Sequence, residues 1–222
     1  MGLNISKGQM YEWVTHTWNT VKGECPHGCT YCYMKRWGKQ SPMRFDEKEL
    51  NADLGSGNFI FVGSSCDLFA KDVPEEWILK TLRKCYDYNT NQYLFQTKNP
   101  ARVLEFNHHV FRQSVICTTL ESDIFYPEIM GLSPSPLDRA IAMNKIAPFV
   151  RTYVTIEPIM DFHLESLVTM VQMCNPHQVN IGADSGANNL PEPSYHKVMA
   201  LIEELNKFTT VVNKTNLNRL LK

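Results

Sequence analysis

Cys25, Cys29 and Cys32 fall within eight residues, in the segment GECPHGCTYCYM, with Pro26 and two glycines, Gly23 and Gly28, close by. Thiolates so closely spaced on a loop can converge on one inorganic centre. A closed zinc site takes four Cys or His ligands, and a ferredoxin-type cubane takes four cysteines, one per iron. Only three are local here. Three ligands on a four-iron cube leave one iron unsaturated, which implies that the centre binds a second molecule directly. The competing reading is a zinc site completed by His16, His27 or the distant Cys66, which would make the chain a non-enzymatic zinc or iron-sulfur binding module. Zinc knuckles, however, favour C-x2-C pairs over the C-x3-C-x2-C spacing found here.

A loop with such ligands needs a frame. YEWVTHTW (Tyr11 to Trp18) is aromatic and β-branched and reads as a first strand leading into the cysteine loop. NFIFVGSS (Asn58 to Ser65) reads as a buried parallel strand, and EEWILKTLRKCYDY after Pro74 has Trp77, Ile78, Leu82 and Cys85 at helical spacing. The couplet then recurs: YLFQT before ARVLEF, SVICTTL before a helix around Leu137 to Ile146, RTYVTIEP before HLESLVTMVQMC, QVNIGAD before PSYHKVMALIEELNKF, and a last strand in TTVVNKT. Strands and helices alternating at this spacing predict right-handed βαβ units and a parallel sheet. Six units plus a closing strand, in a chain shorter than the roughly 250 residues of a full barrel, predict an α/β fold: a partial (β/α)6 TIM-type barrel, laterally open. An open doubly wound sheet is the alternative, weakened by the lack of a G-x-G-x-x-G after the first strand.

The 222 residues fit a single domain, residues 1–222, with 43% hydrophobic and 20% charged residues typical of a globular protein. No stretch approaches the roughly 20 apolar residues of a membrane span, and the N-terminus lacks the pattern of a secretory signal, so a cytoplasmic location is expected. Met1-Gly2 with Ser6 matches the short myristoylation pattern, but no polybasic patch follows directly to make a second anchor. Seven cysteines in a chain without an export signal argue against a disulfide framework and for a cluster or metal. A net charge of -1 gives no global attraction to nucleic acid, which leaves local patches. One such patch has Lys35, Arg36, Lys39 and Arg44 interleaved with Trp37 and Phe45, able to engage phosphates and stack on bases, or simply to form a solvated loop.

The cysteine spacing, with the aromatic Tyr31 immediately before the third cysteine, resembles the radical S-adenosylmethionine (SAM) superfamily. The ordered series THTWNTVKGECPHGCTYCYM, VGSSCDLFAKDVPEEW, FQTKNPARVLEF, TTLESD, VTIEPIMDF and VNIGADSG is similar to a compact phage and bacterial radical SAM family of uncharacterised function. The resemblance implies a [4Fe-4S] cluster on Cys25, Cys29 and Cys32 whose open iron chelates SAM. Reduction by a one-electron donor of flavodoxin or ferredoxin type would cleave SAM to a 5'-deoxyadenosyl radical for hydrogen abstraction from an organic substrate; a nucleic-acid base or nucleotide is one candidate. It further implies that Tyr31 lies against the adenine and that Gly63, Ser64 and Ser65, with Asp67 beyond, receive the SAM amino group. Lys98 would meet the carboxylate, Thr118, Thr119 and Glu121 the ribose, and Glu157 the ribose or substrate. Asp184 and Ser185, in a flexible turn, suit a polar ligand or serve the turn alone. Cys66 could donate a hydrogen atom to a substrate radical, as a cysteine does in another member of the superfamily. Cys85, Cys117 and Cys174 read as packing, and His108-His109 as surface.

Overall fold

Short β-branched and aromatic runs that end in small or polar residues form the strands, and the stretches of 3.6-residue apolar period between them form the helices. The computed structural model describes residues 2–7 and 11–222; Met1, in the N-terminal pattern noted above, lies outside them. The strands are β1 (Asn4–Ile5), β2 (His16–Trp18), β3 (Val21–Lys22), β4 (Arg44–Phe45), β5 (Phe59–Val62), β6 (Gln92–Thr97), β7 (Ser114–Thr119), β8 (Arg151–Ile156), β9 (Gln178–Ile181) and β10 (Thr210–Asn213). The α-helices are α1 (Glu75–Asp87), α2 (Pro127–Met130), α3 (Pro136–Ile146), α4 (Leu164–Met173) and α5 (Tyr195–Asn206).

Eight strands form one sheet in the order β1-β2-β5-β6-β7-β8-β9-β10. Every pairing from β2 to β10 is parallel, and β1 alone runs antiparallel, at the β2 edge. The sheet is open, the partial barrel that the six repeating units predict. β3 and β4 make a separate antiparallel pair beside the cysteine loop.

Successive side chains on a strand point to opposite faces, so each strand feeds two apolar layers. On β7, Ile116 joins the large cluster containing Ile60, Phe95, Val154 and Val179 together with Ile78 and Leu82 of α1 and Leu201 of α5. Val115 and Cys117 join a second cluster with Phe61, Leu94, Tyr11 and Val14 on the opposite face. That second face is the barrel interior. Two residues further along the same face are Gln96 and Thr119, where the apolar filling gives way to polar groups.

Two of the expected elements take a different form, and β1, β3, β4 and α2 were not expected. The strand expected over Tyr11 to Trp18 covers only His16–Trp18, as β2. Tyr11, Trp13 and Val14 instead pack on the interior face, where Trp13 meets Phe59 at 4.5 Å and Tyr153 at 5.5 Å between ring centroids. Their apolar area is better buried there than along an edge strand. The expected helix ARVLEF is a 3₁₀ segment, Pro100–Glu105, too short to carry an amphipathic face of its own.

Candidate functional site

Turns stack the cysteine loop. Gly28 N–H donates to Cys25 O at 3.2 Å, Cys32 N–H to Cys29 O at 3.3 Å and Lys35 N–H to Cys32 O at 3.0 Å, leading into the 3₁₀ turn Tyr33–Trp37. All three cysteines line one cavity of about 1080 Å³, at the C-terminal ends of β5, β6 and β7, which also supply Gly63, Ser64, Ser65, Cys66, Lys98 and Thr119 to its wall. That volume is at the upper end of the roughly 300–1,000 Å³ usual for a small-molecule site.

The loop is braced from outside by α2 and the turn after it. Thr30 N–H donates to Ile129 O at 2.9 Å, Leu132 N–H to His27 O at 2.8 Å, and the Cys29 thiol to Met130 O at 3.3 Å. Gly131 has φ +65°, and a Cβ there would lie 2.1 Å from His27 O. No other residue fits. Sequence reading missed this brace, since α2 is one turn inside a Pro-rich loop.

A buried ion pair supports the same wall. Arg139 Nη1 and Glu121 Oε2 are 2.7 Å apart, both side chains wholly inaccessible. Arg139 also donates to Pro134 O, Thr119 O and Ser133 Oγ, while the Tyr31 hydroxyl donates to Glu121 Oε1. Burial alone would raise the Glu121 carboxyl, but Arg139, Lys98 and Tyr31 outweigh it and hold it below the ordinary range. Both Glu121 oxygens are therefore engaged within the protein. Burial, reinforced by Glu121, pushes the Tyr31 phenol well up, keeping it a donor. Lys98 Nζ sits over the Tyr31 ring at 5.3 Å. Burial would lower its ammonium, but the nearby Cys29 and Glu121 raise it.

Asp67 is equally committed. Its Oδ2 accepts from Thr97 Oγ1 at 3.0 Å and from Lys98 N–H at 2.8 Å, and lies 2.8 Å from His27 Nε2. It ties the cysteine loop to the ends of β5 and β6 through the Nε2 atom of His27. Thr118 is fully buried, gives its hydroxyl to Thr97 O at 2.8 Å and is not part of the cavity wall. The pleat turns Thr119 inward instead. Gly63, at φ +76°, starts the turn that exposes Ser64 and Ser65 to the cavity. Asn19 Oδ1 steadies that turn, accepting from Ser65 N–H at 3.0 Å and Ser64 Oγ at 3.2 Å, and Tyr33 OH donates to Ser64 O at 2.7 Å.

Cys66 lies against Cys25. Its hydrogen bond holds the Cys25 thiol down to about 6 against the effects of burial and Asp67, while the same contact, with burial, pushes Cys66 well up. The pair thus favours a thiolate, the ligating form. Three thiols on a glycine-containing loop, all open to one cavity, fit a three-cysteine cluster. Among the described residues no three His, Cys, Asp or Glu side chains are arranged to hold a single metal ion.

The opposite wall is wetter. Glu157 lines the cavity at the end of β8, with Oε2 2.5 Å from Lys214 Nζ and Oε1 accepting from Asn216 Nδ2 at 2.9 Å. Gln96 links Tyr11 OH, at 2.6 Å, to Thr119 Oγ1, at 3.3 Å. Gln96, Lys214 and Asn216 escaped sequence reading, although each lies within three residues of a strand end. Asp184 accepts from Gly186 N–H, Asn188 N–H and Asn188 Nδ2, so it serves its own turn. Ser185, which lines the cavity, accepts from Arg36 at 2.7 and 2.9 Å. Cys85, Cys117 and Cys174 are buried packing residues, and His108 and His109 are exposed, as expected.

A family model described as "Protein of unknown function (DUF5131)" matches residues 9–204. The chain belongs to that family. No curated protein matches it in sequence. In fold it is similar to spore photoproduct lyase complexed with dinucleoside spore photoproduct, at a TM-score of 0.69 and 10% identity, covering 96% of this chain and 79% of that one. A variant of the same lyase with bound AdoMet and dinucleoside spore photoproduct matches at a TM-score of 0.57 and 10% identity, covering 92% of this chain and 66% of the other. No helix among the described residues is long and apolar enough to cross a membrane.

Proposed function

We propose that this protein is a radical SAM enzyme. The observation that carries the reading is the convergence of Cys25, Cys29 and Cys32 on one large cavity at the C-terminal ends of a partial barrel, a fold shared with a lyase recorded with AdoMet bound. Bound there, a three-cysteine [4Fe-4S] cluster with SAM on its open iron supplies a 5'-deoxyadenosyl radical on one-electron reduction.

The chain's own residues divide the remaining work. Cys25, Cys29 and Cys32 hold the irons. Tyr31, fixed by Glu121, offers its ring to the adenine, and Lys98 offers a cation to the carboxylate. Gly63, Ser64 and Ser65 receive the amino group, and Thr119 and Glu157 face the ribose or the substrate. Cys66 is the hydrogen donor to the substrate radical. Asp67, Thr118 and Glu121, with their polar atoms committed to the protein, position the loop and the strand ends. The substrate is a nucleotide unit. The dinucleoside bound by the similar lyase and the cations Lys35, Arg36 and Lys39 along the cavity wall support that reading.

Anaerobic reconstitution should yield about four irons per chain, and dithionite with SAM should release 5'-deoxyadenosine. Replacing Cys29 with Ala should abolish that release and lower the iron content. One bound zinc per chain and no iron would overturn the proposal in favour of a non-enzymatic binding module.

A further inference from the structure

We infer that the rim of the cavity is a platform for single-stranded nucleic acid: Lys7, Lys35 and Lys39 engage its phosphates and Trp37 stacks on one of its bases. The inference rests on the reading of the cavity as an active site for a nucleotide unit, and it specifies the form in which that unit arrives.

The residues come together from separate parts of the chain. Lys7, which follows β1, lines the same cavity as Lys35, Arg36 and Lys39, which follow the cysteines. Lys7, Lys35 and Lys39 are exposed, and none has a carboxylate within ion-pair distance among the described residues. Arg36 is held to Ser185 through neutral oxygens, so its charge is also uncompensated. Of the acidic residues on the wall, Asp67 and Glu157 already face cationic or hydrogen-bonding partners, leaving Glu24. A chain with a net charge of -1 thus concentrates positive charge around one concavity. Focused charge of this kind is the electrostatic mark of a polyanion site.

Trp37 supplies the second part. It ends the turn Tyr33–Trp37 with 77% of its surface exposed. An indole so exposed among cations offers a stacking surface to any base. The structure also separates this patch from the rest of the basic segment. Phe45 stacks on Trp77 at 5.6 Å with Lys80 over its ring, and Arg44, which donates to Ser41 Oγ at 2.6 Å, does not line the cavity. A single strand is favoured over a duplex because a base inside a duplex reaches a recessed centre only by being flipped out, at the cost of unpairing and unstacking.

The test is binding of a fluorescein-labelled oligothymidylate of about 12 nucleotides to the anaerobically reconstituted protein, without reductant. The expected salt dependence is linear in log–log form, and neutralising Lys35 and Lys39 together should reduce its slope by about 1.4. Trp37→Ala should weaken binding about tenfold with little change in slope, and Trp37→Phe should retain most of the affinity. Lys145→Ala, an exposed cation on α3, should leave the slope unaltered. The inference is overturned by an unchanged slope in the double variant, by full affinity in Trp37→Ala, or by equally tight binding of a duplex of the same length. Equal competition by polyglutamate without quenching of Trp37 fluorescence would also overturn it, pointing to an acidic protein partner. Release of 5'-deoxyadenosine without oligonucleotide is measured separately. Cleavage without binding removes the platform and spares the enzyme reading, and binding without cleavage does the reverse.

Discussion

Two acidic residues close neighbouring strands of the cavity, and their surroundings differ sharply. Glu121, just past β7, is fully inaccessible and meets an equally inaccessible Arg139. Glu157, at the end of β8, keeps 23% of its side chain exposed and pairs with Lys214 at 16%. The first pair sits behind the cysteine loop, together with α2 and Gly131; the second faces the cavity. A buried ion pair must satisfy nearly every polar atom to offset its desolvation, and the Arg139 guanidinium does so with four acceptors. A partly exposed pair is under no such demand and leaves hydrogen-bonding capacity for a ligand. One wall holds a loop still; the other keeps polar groups turned to the cavity.

The largest expected effect follows from breaking the closed wall. Glu121→Gln leaves the Arg139 charge buried and uncompensated, a loss on the order of 3–5 kcal/mol by chemical denaturation. The pH dependence carries the same signature. Because the Glu121 carboxyl is held below its ordinary value in the fold, its stabilisation is complete above the unfolded value of about 4.3 and is lost as pH falls through the folded one. Wild type should therefore lose stability more steeply than Glu121→Gln below about pH 4. Parallel curves would remove Glu121 from the account of the closed wall.

Gly131→Ala comes next. The added methyl would meet His27 O at a backbone angle that L-residues rarely adopt, so the cysteine loop must shift. A destabilisation of about 2 kcal/mol is expected, with iron incorporation falling more than the stability change alone explains. Normal iron content in a folded Gly131→Ala protein would show that α2 does not govern the loop.

What the sequence makes legible follows the same division. The barrel and the three cysteines are carried by local signals: short β-branched, aromatic and apolar runs, helical spacing, and cysteine spacing within eight residues. The residues that commit Asp67, Thr118 and Glu121 to the protein are not local. Asp67 meets His27 and Thr97, 40 and 30 positions away, and Arg139 lies 18 residues beyond Glu121 inside a helix where an arginine reads as solvated. A carboxylate at a strand end has the same sequence whether it faces a ligand or a buried guanidinium. The plug formed by Tyr11 and Trp13 escapes for a related reason, since aromatic runs suit an edge strand and a barrel interior equally well.

The smallest effect on stability, and the sharpest test of the open wall, is Glu157→Gln. The pair is partly solvated, so its removal should cost no more than about 1 kcal/mol. The amide remains close in size to the carboxylate, so the tight approach of Gly182, where a Cβ would lie 2.6 Å from Glu157 Oε1, is preserved. Lys214 keeps its place through its backbone bond to Ile181 O at 2.8 Å. The change therefore alters charge at the cavity surface with little change in shape. If Glu157 contacts ribose or substrate, release of 5'-deoxyadenosine should slow by about tenfold, the scale of one lost charge-assisted hydrogen bond, while iron content stays at the wild-type level. Lys214→Met should leave the fold equally intact but expose an unpaired carboxylate to the cavity, shifting the SAM concentration needed for half-maximal release. If Glu157→Gln unfolds the protein as readily as Glu121→Gln, the distinction between a fixed wall and a working wall fails.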